Sequence, residues 1–338
     1  MEATMTAAAA ATMKALVQEG TGSADVLQFR EIEIPALADD RVLVKVRAAS
    51  VNAADYHAVH MGGLIITVVG KLMRQSSRPS PIRGIDVAGT VEAVGKDVTK
   101  LRPGDEVFGA GRGTWAEYAT GNELGLLPKP ARLSFAEAGA VGVAGVTALQ
   151  GLRDHGRLQA GERVLIYGAG GGVGTFAVQI AKALGAHVTA VTSTRNMELA
   201  AKLGADVLID YMKEDVAKRG QRYDVIFDVA AIRSFRDLRR MLAPGGTLVL
   251  AGAAKSGGVL GLVARLLAGM FRARVLKQRV VFYVASIRYD DLALLKELIE
   301  AGKVTPLIDR TFPFSEAREA VRYAMSGQGR AKVVINVS

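Results

Sequence analysis

The apolar rhythm of the chain changes once. From Met13 to about Ser134, short alternating runs recur between Gly and Pro turns: Lys14–Val17, Arg41–Ala48, Val87–Val94, Glu106–Phe108 and Trp115–Thr120. Alternation with a period of two buries one face of a strand, so this stretch predicts a compact β-rich lobe. From about Ala136, strand-length apolar runs alternate with segments of helical spacing. Strands are predicted at Arg163–Tyr167, His187–Thr192, Val207–Ile209, Val225–Asp228 and Thr247–Ala251, with helices at Val173–Leu184 and Met197–Leu203. That order predicts an α/β lobe with a parallel sheet wound on both faces. A strand candidate at Val280–Ala285, an amphipathic helix at Asp290–Ala301 and a closing strand at Lys332–Val337 follow, the last returning to the first lobe. The expected division is a disordered tail over 1–12, the β-rich lobe over 13–135 with 287–338, and the doubly wound lobe over 136–286.

Composition narrows the chemistry. Half of the 338 residues are apolar and there are 38 glycines, enough for a large core in two lobes. The chain has no cysteine, which excludes disulfides, thiolate nucleophiles, iron–sulfur clusters and any zinc site needing a Cys ligand. Lys and Arg number 43 against 33 Asp and Glu, and the excess is local. Residues 56–85 carry Lys71, Arg74, Arg78 and Arg83 with no acid. Residues 251–289 carry Lys255, Arg265, Arg272, Arg274, Lys277, Arg279 and Arg288, again with none. Local basicity fits an anionic ligand or a membrane surface better than nucleic acid, for which neither interleaved stacking aromatics nor zinc-finger spacing is present. The opening residues lack a basic n-region, and no uncharged apolar stretch is long enough to span a bilayer, so the expected location is cytoplasmic.

The segment Arg163–Gly174, RVLIYGAGGGVG, runs an apolar strand into glycines and then a helix. Glycines there allow a tight turn and bring backbone N–H groups to a pyrophosphate, and the helix N-terminus adds partial positive charge. The fingerprint reads Ala169-x-Gly171-x-x-Gly174, with Gly172 and Val173 inside it and Ala in place of the first glycine. Its position between a strand and a helix, with a second strand following, points to dinucleotide binding. At the end of that second strand, Val191-Thr192-Ser193-Thr194-Arg195-Asn196 offers no acid for a ribose 2′-hydroxyl. Thr192, Ser193 and Arg195 suit a 2′-phosphate instead, which favours NADPH. Tyr211, after the third strand, is a candidate to cover the adenine or touch that phosphate; packing alone is the other reading. Ala251-Gly252 ends the fifth strand, where backbone can approach the nicotinamide.

Several ordered blocks carry a resemblance to a known family: Val51-Asn52-Ala53-Ala54-Asp55-Tyr56-His57, Gly84-Ile85-Asp86-Val87-Ala88-Gly89, Arg102-Pro103-Gly104-Asp105-Glu106-Val107, Ala144-Gly145-Val146-Thr147-Ala148, the glycine turn, Leu203-Gly204-Ala205-Asp206, and Arg330-Ala331-Lys332-Val333-Val334-Ile335. From Met13 onward the chain resembles the zinc-independent, quinone oxidoreductase-like branch of the medium-chain dehydrogenase/reductase superfamily. The resemblance implies a GroES-like catalytic lobe built from both chain ends, a Rossmann lobe between them, and a cofactor cleft where they meet. Zinc alcohol dehydrogenases carry a Cys and a His-Glu pair where this chain has Asn52 and Ile85-Asp86, so no metal is expected. The resemblance also implies that Asn52 faces the cleft, that Thr147 lies against the nicotinamide, that Lys332 reaches the cofactor cleft, and that the protein is a homodimer, for which Val280–Ser286 is a candidate edge strand. Asp55 and Tyr56 follow Asn52 on the same loop and are further catalytic candidates, Tyr56 as pocket lining or proton donor. His57 and His60 lack the further ligands a metal would need.

Without a metal to polarise a carbonyl, the substrate must already be electron-poor. The expected activity is NADPH-dependent hydride transfer to a small hydrophobic quinone or α,β-unsaturated carbonyl. The alternatives are reduction of aldehydes or enoyl thioesters, and a non-catalytic NADPH-binding sensor or adaptor. If helical, 259–279 aligns Arg265, Arg272 and Arg279 on one stripe beside apolar residues. A lid, an interfacial helix making peripheral membrane contact and a packed surface helix all remain open. The lid reading predicts that shortening 259–279 raises KM for hydrophobic quinones while NADPH affinity is kept; steady-state kinetics with unchanged KM would remove it.

Overall fold

The structure is a computed structural model that describes residues 11–60, 80–231, 233–251 and 278–337. Strands β1 (Thr12–Gln18) and β2 (Leu27–Glu33) form an antiparallel pair. Strands β3 (Val42–Val51), β4 (Asp86–Val94), β5 (Glu106–Arg112) and β6 (Tyr118–Pro128) build most of a six-stranded sheet. Its order is β13-β14-β3-β4-β5-β6, and β6 also pairs with β3, so the sheet curls back on itself. The outer strands β13 (Ile308–Pro313) and β14 (Lys332–Asn336) come from the far end of the chain. The closing strand therefore returns to the first lobe as its sequence predicts, pairing antiparallel with β3 from Val333 opposite Val51.

The sequence VLVKVRAASV explains why β3 is central: only Lys45 and Arg47 are exposed, and all other positions of the strand are buried. Trp115, expected inside a strand, lies just before β6. Fully buried, it donates its indole N–H to the Ser50 carbonyl at 3.3 Å.

The other six strands are β7 (Arg163–Tyr167), β8 (His187–Thr192), β9 (Val207–Asp210), β10 (Tyr223–Asp228), β11 (Leu242–Leu250) and β12 (Arg279–Phe282). They pair in parallel in the order β12-β11-β10-β7-β8-β9. This is the doubly wound Rossmann order, and it reverses between β7 and β10. Ligands in such sheets bind outside the carboxyl ends of the strands at that reversal. β12 is the outermost strand on its side among the described residues.

The helices that position the cleft are α1 (Gly142–Gln150), α2 (Gly172–Ala183), α3 (Met197–Lys202), α4 (Phe235–Arg240), α5 (Tyr289–Glu300) and α6 (Ala317–Met325). One core joins the two sheets. Phe108 and Leu127 of the β-rich lobe pack in the same cluster as Leu149, Ile166, Phe176, Phe227, Leu292 and Leu295. Nearly every residue of α1 is buried in this seam, so its start is fixed from both sides.

Gly252 and almost all of 259–279 lie outside the described residues. At the end of that segment, Arg279 donates to the His155 carbonyl at 3.0 Å. No helix among the described residues is long and apolar enough to cross a membrane.

Candidate active site

The glycine turn begins one residue earlier than the fingerprint indicates. Gly168, directly after β7, takes φ 94°, a left-handed conformation that favours glycine, while Ala169 is fully buried behind it. A Cβ on Gly174 would stand 2.1 Å from the Gly168 carbonyl oxygen, so the helix and the turn touch without room for a side chain. Gly171 precedes α2 and offers no side-chain cap, so the first N–H groups of α2, beginning with Gly172 and Val173, have no capping side chain. A glycine cradle with an uncapped helix start fits a dinucleotide pyrophosphate.

The segment after β8 lies beside this turn. Thr192 is buried, Ser193 half-buried and Arg195 exposed, with the guanidinium held at 3.3 Å from the Gly327 carbonyl. Tyr211 is 40% exposed, and its backbone N–H bonds Thr192 at 3.0 Å. Asp210, which ends β9, is occupied by the Thr194 hydroxyl at 2.5 Å and the Met212 N–H at 3.0 Å. Ser193, Arg195 and Tyr211 thus border one strand end.

The chain then returns across the turn. Ala331 forms a parallel bridge with Gly171 and donates its N–H to Gly170 at 3.0 Å. This crossing delivers Lys332, only 3% exposed, into a buried polar cluster. Its Nζ lies 3.1 Å from Asp86 Oδ2 and also donates to Asn52 Oδ1. Asp86 Oδ2 further accepts from Ser50 Oγ at 2.6 Å and Asn52 Nδ2 at 3.0 Å, and Asp86 Oδ1 accepts the Val143 N–H at 2.6 Å. Asn52 and Lys332, both candidates from the sequence, are brought together. Asp86 and Ser50 join them unforeseen. The available signal was an acid at the start of an otherwise apolar strand, in Gly84-Ile85-Asp86-Val87.

Asn52 stands at the entry to a helical stretch, 53–60, and Asp55 reaches back to accept its N–H at 2.9 Å. That bond makes Asp55 a helix-start residue that orients Asn52. Burial pushes the Asp55 carboxyl up to about 7 against the Asn52 bond, with the Asp86 charge adding to the rise. Tyr56 is half-buried, its ring centroid 4.8 Å from that of His57, and burial raises its phenol above the ordinary value. His60 is tied to the Gly22 carbonyl at 3.0 Å. Among the described residues no three or more His, Cys, Asp or Glu side chains gather as a metal site.

Thr147 lies inside α1, where its hydroxyl bonds the Val143 carbonyl at 2.6 Å and its own carbonyl accepts from the Tyr283 hydroxyl. Ala251 follows β11 and bonds the Asp228 carbonyl at 3.1 Å, at the sheet's carboxyl end.

Comparison with known proteins matches residues 38–131 to the alcohol dehydrogenase GroES-like domain and 203–335 to a zinc-binding dehydrogenase domain. The chain is 36% identical to mouse mitochondrial NAD(P)H oxidoreductase RTN4IP1, across 98% of this chain and 91% of that protein. It is 33% identical to the Arabidopsis thaliana chloroplastic NADPH-dependent alkenal/one oxidoreductase, across 96% and 79%. The chain belongs to the quinone oxidoreductase-like medium-chain dehydrogenases/reductases. A solved structure, the quinone oxidoreductase from Coxiella burnetii, superposes with a TM-score of 0.83 at 28% identity, covering 97% of this chain and all of that one. The medium-chain fold, its nicotinamide-cofactor chemistry and its oxidoreductase class follow from this membership.

The Asp55 environment sets a pH dependence. Its carboxyl binds a proton more tightly folded than unfolded, so the folded chain holds the extra proton between roughly pH 4 and 7, and stability falls as pH rises through that window. Asp55→Asn keeps an acceptor for Asn52 and cannot ionise. The melting temperature of the variant relative to the parent should therefore rise between pH 5 and pH 8; a difference independent of pH would contradict the assignment.

Proposed function

We propose that this protein is an NADPH-dependent reductase that delivers hydride to quinones or α,β-unsaturated carbonyls without a metal. The observation that carries the reading is the Lys332–Asn52–Asp86 cluster beside the glycine turn. An ammonium has three donors and a side-chain amide has two. Lys332 spends two, on Asn52 and Asp86, and Asn52 spends one, on Asp86. One N–H of each is left without a partner among the described residues. Two such donors suit a carbonyl oxygen on which negative charge grows as hydride arrives.

When bound, the dihydronicotinamide supplies the hydride. The turn from Gly168 through Ala169, Gly171 and Gly174, with the start of α2, would hold the pyrophosphate. Ser193 and Arg195, with Tyr211 over the adenine side, would take the 2′-phosphate, and Thr192 closes the strand behind them. Thr147 and Ala251 would flank the nicotinamide end. The wider support for NADPH and for a conjugated acceptor is the name of the Arabidopsis relative, an NADPH-dependent alkenal/one oxidoreductase.

With no set of metal-ligating side chains gathered among the described residues, the acceptor is one that spreads the incoming charge itself, as quinones and enones do by conjugation. Asn52 and Lys332 orient its oxygen. Asp55 holds the Asn52 backbone, and Tyr56, its phenol raised by burial, would serve as the proton donor from the same helical stretch.

Two measurements test the reading. Oxidation of NADPH, followed by absorbance with a panel of naphthoquinones and enals, should proceed undiminished after exhaustive dialysis against chelator; tight NADPH binding with a silent panel would favour the sensor alternative. Arg195→Ala should weaken NADPH binding about 10-fold and leave NADH unchanged, the loss of one charge-assisted phosphate contact. An equal loss for both dinucleotides would contradict the 2′-phosphate assignment.

A further inference from the structure

Asp86 has no part in the reaction as read above, yet the groups that do are tied to it. It is wholly buried, at the first position of β4. Its four partners come from three separate parts of the chain: Ser50 at the end of β3 with Asn52 just beyond it, Lys332 at the start of β14, and the Val143 N–H in the first turn of α1. Thr147 follows one turn further along α1 and bonds back to Val143.

The chemistry of a carboxylate decides how these groups face. It only accepts, so Asn52 must offer its amide nitrogen to Asp86, which leaves the amide oxygen for Lys332. That second bond is present. With two ammonium N–H bonds spoken for, the direction of the third is fixed as well. Burial of the Lys332 ammonium at 3% exposure requires an opposite charge close by, and Asp86 is its ion-pair partner.

We propose that Asp86 is the positioning residue of this active site: it pairs with and aims Lys332, selects the orientation of the Asn52 amide, and anchors the helix start that carries Thr147. The proposal rests on the hydride-transfer reading, because Lys332 and Asn52 are the groups that meet the substrate oxygen. Asp86 touches neither substrate nor cofactor and acts only through them. A merely structural carboxylate would give a different pattern of losses.

The test compares Asp86→Asn, Lys332→Met and the double variant for melting temperature, NADPH dissociation constant, kcat and KM. Asp86→Asn keeps the shape and an acceptor oxygen but removes the charge. It should lower kcat about 100-fold, the scale of a misplaced reacting group, with the NADPH dissociation constant unchanged. Each single variant leaves one buried charge unpaired and should melt lower than the parent; the double variant should recover most of that melting temperature. Its kcat should nonetheless not recover, and should lie well above the product of the two single losses, because part of what Asp86 does is done through Lys332. Asp86→Asn with the parent's kcat, losses that multiply in the double variant, or a kcat that returns together with the melting temperature would each overturn the proposal. A parent enzyme silent on the whole quinone and enone panel would refute the hydride-transfer reading itself, and is told apart from the other failures because no variant is needed to see it.

Discussion

The buried ion pair between Asp86 and Lys332 is the constraint on which the rest of the cleft depends. An ammonium and a carboxylate taken out of water are worth little as a source of stability, because desolvation offsets most of their attraction. Removing one partner is another matter, costing about 3–5 kcal/mol by leaving the other charge stranded. Such a pair therefore tolerates only one arrangement of the backbone segments that carry it. Here those segments are the start of β4 and the start of β14, 246 residues apart in sequence, and Asn52 and α1 are drawn into the same knot.

That knot sits where the two sheets meet. The parallel order of β7 to β12 places the glycine turn at the strand reversal. The closing segment crosses the turn at Ala331 before entering the other sheet as β14. The residue following that crossing is Lys332, so the ammonium is delivered between the glycine turn and Asn52 by the topology of the chain. The common core through α1 and α5 holds the two sheets in register around it. Positioning by a shared, dry seam is suited to a reaction that relies on orientation more than on acid–base power.

Much of this is legible in the amino-acid sequence. The strands of the doubly wound sheet announce themselves as uninterrupted apolar runs, and β7 and β8 begin and end where the pattern places them. The glycine turn was readable because strand, glycines and helix are contiguous. A fingerprint that counts from Ala169 passes over the tight-turn glycine, Gly168, which only the backbone angle identifies. β2 and β13 show no clear strand pattern, because they are outer strands whose sequences, LQFREIE and IDRTFP, carry charge on the solvent side. Pairing with a neighbour defines them more than alternation does. α6 hides its buried face behind two alanines and a valine.

The site divides in the same way. Asn52, Thr147 and Lys332 carry family patterns and could be named singly. Asp86 and Ser50 could not, because an acid or a hydroxyl on an apolar strand acquires meaning only from what long-range folding brings to it. Whether Lys332 acts on the chemical step is open to direct observation. In a single turnover with C4-deuterated NADPH and a naphthoquinone, Lys332→Met should slow the isotope-sensitive hydride step by about 10-fold or more while dinucleotide binding stays as in the parent enzyme. Hydride transfer at the parent rate in that variant would contradict the role given to the buried ammonium.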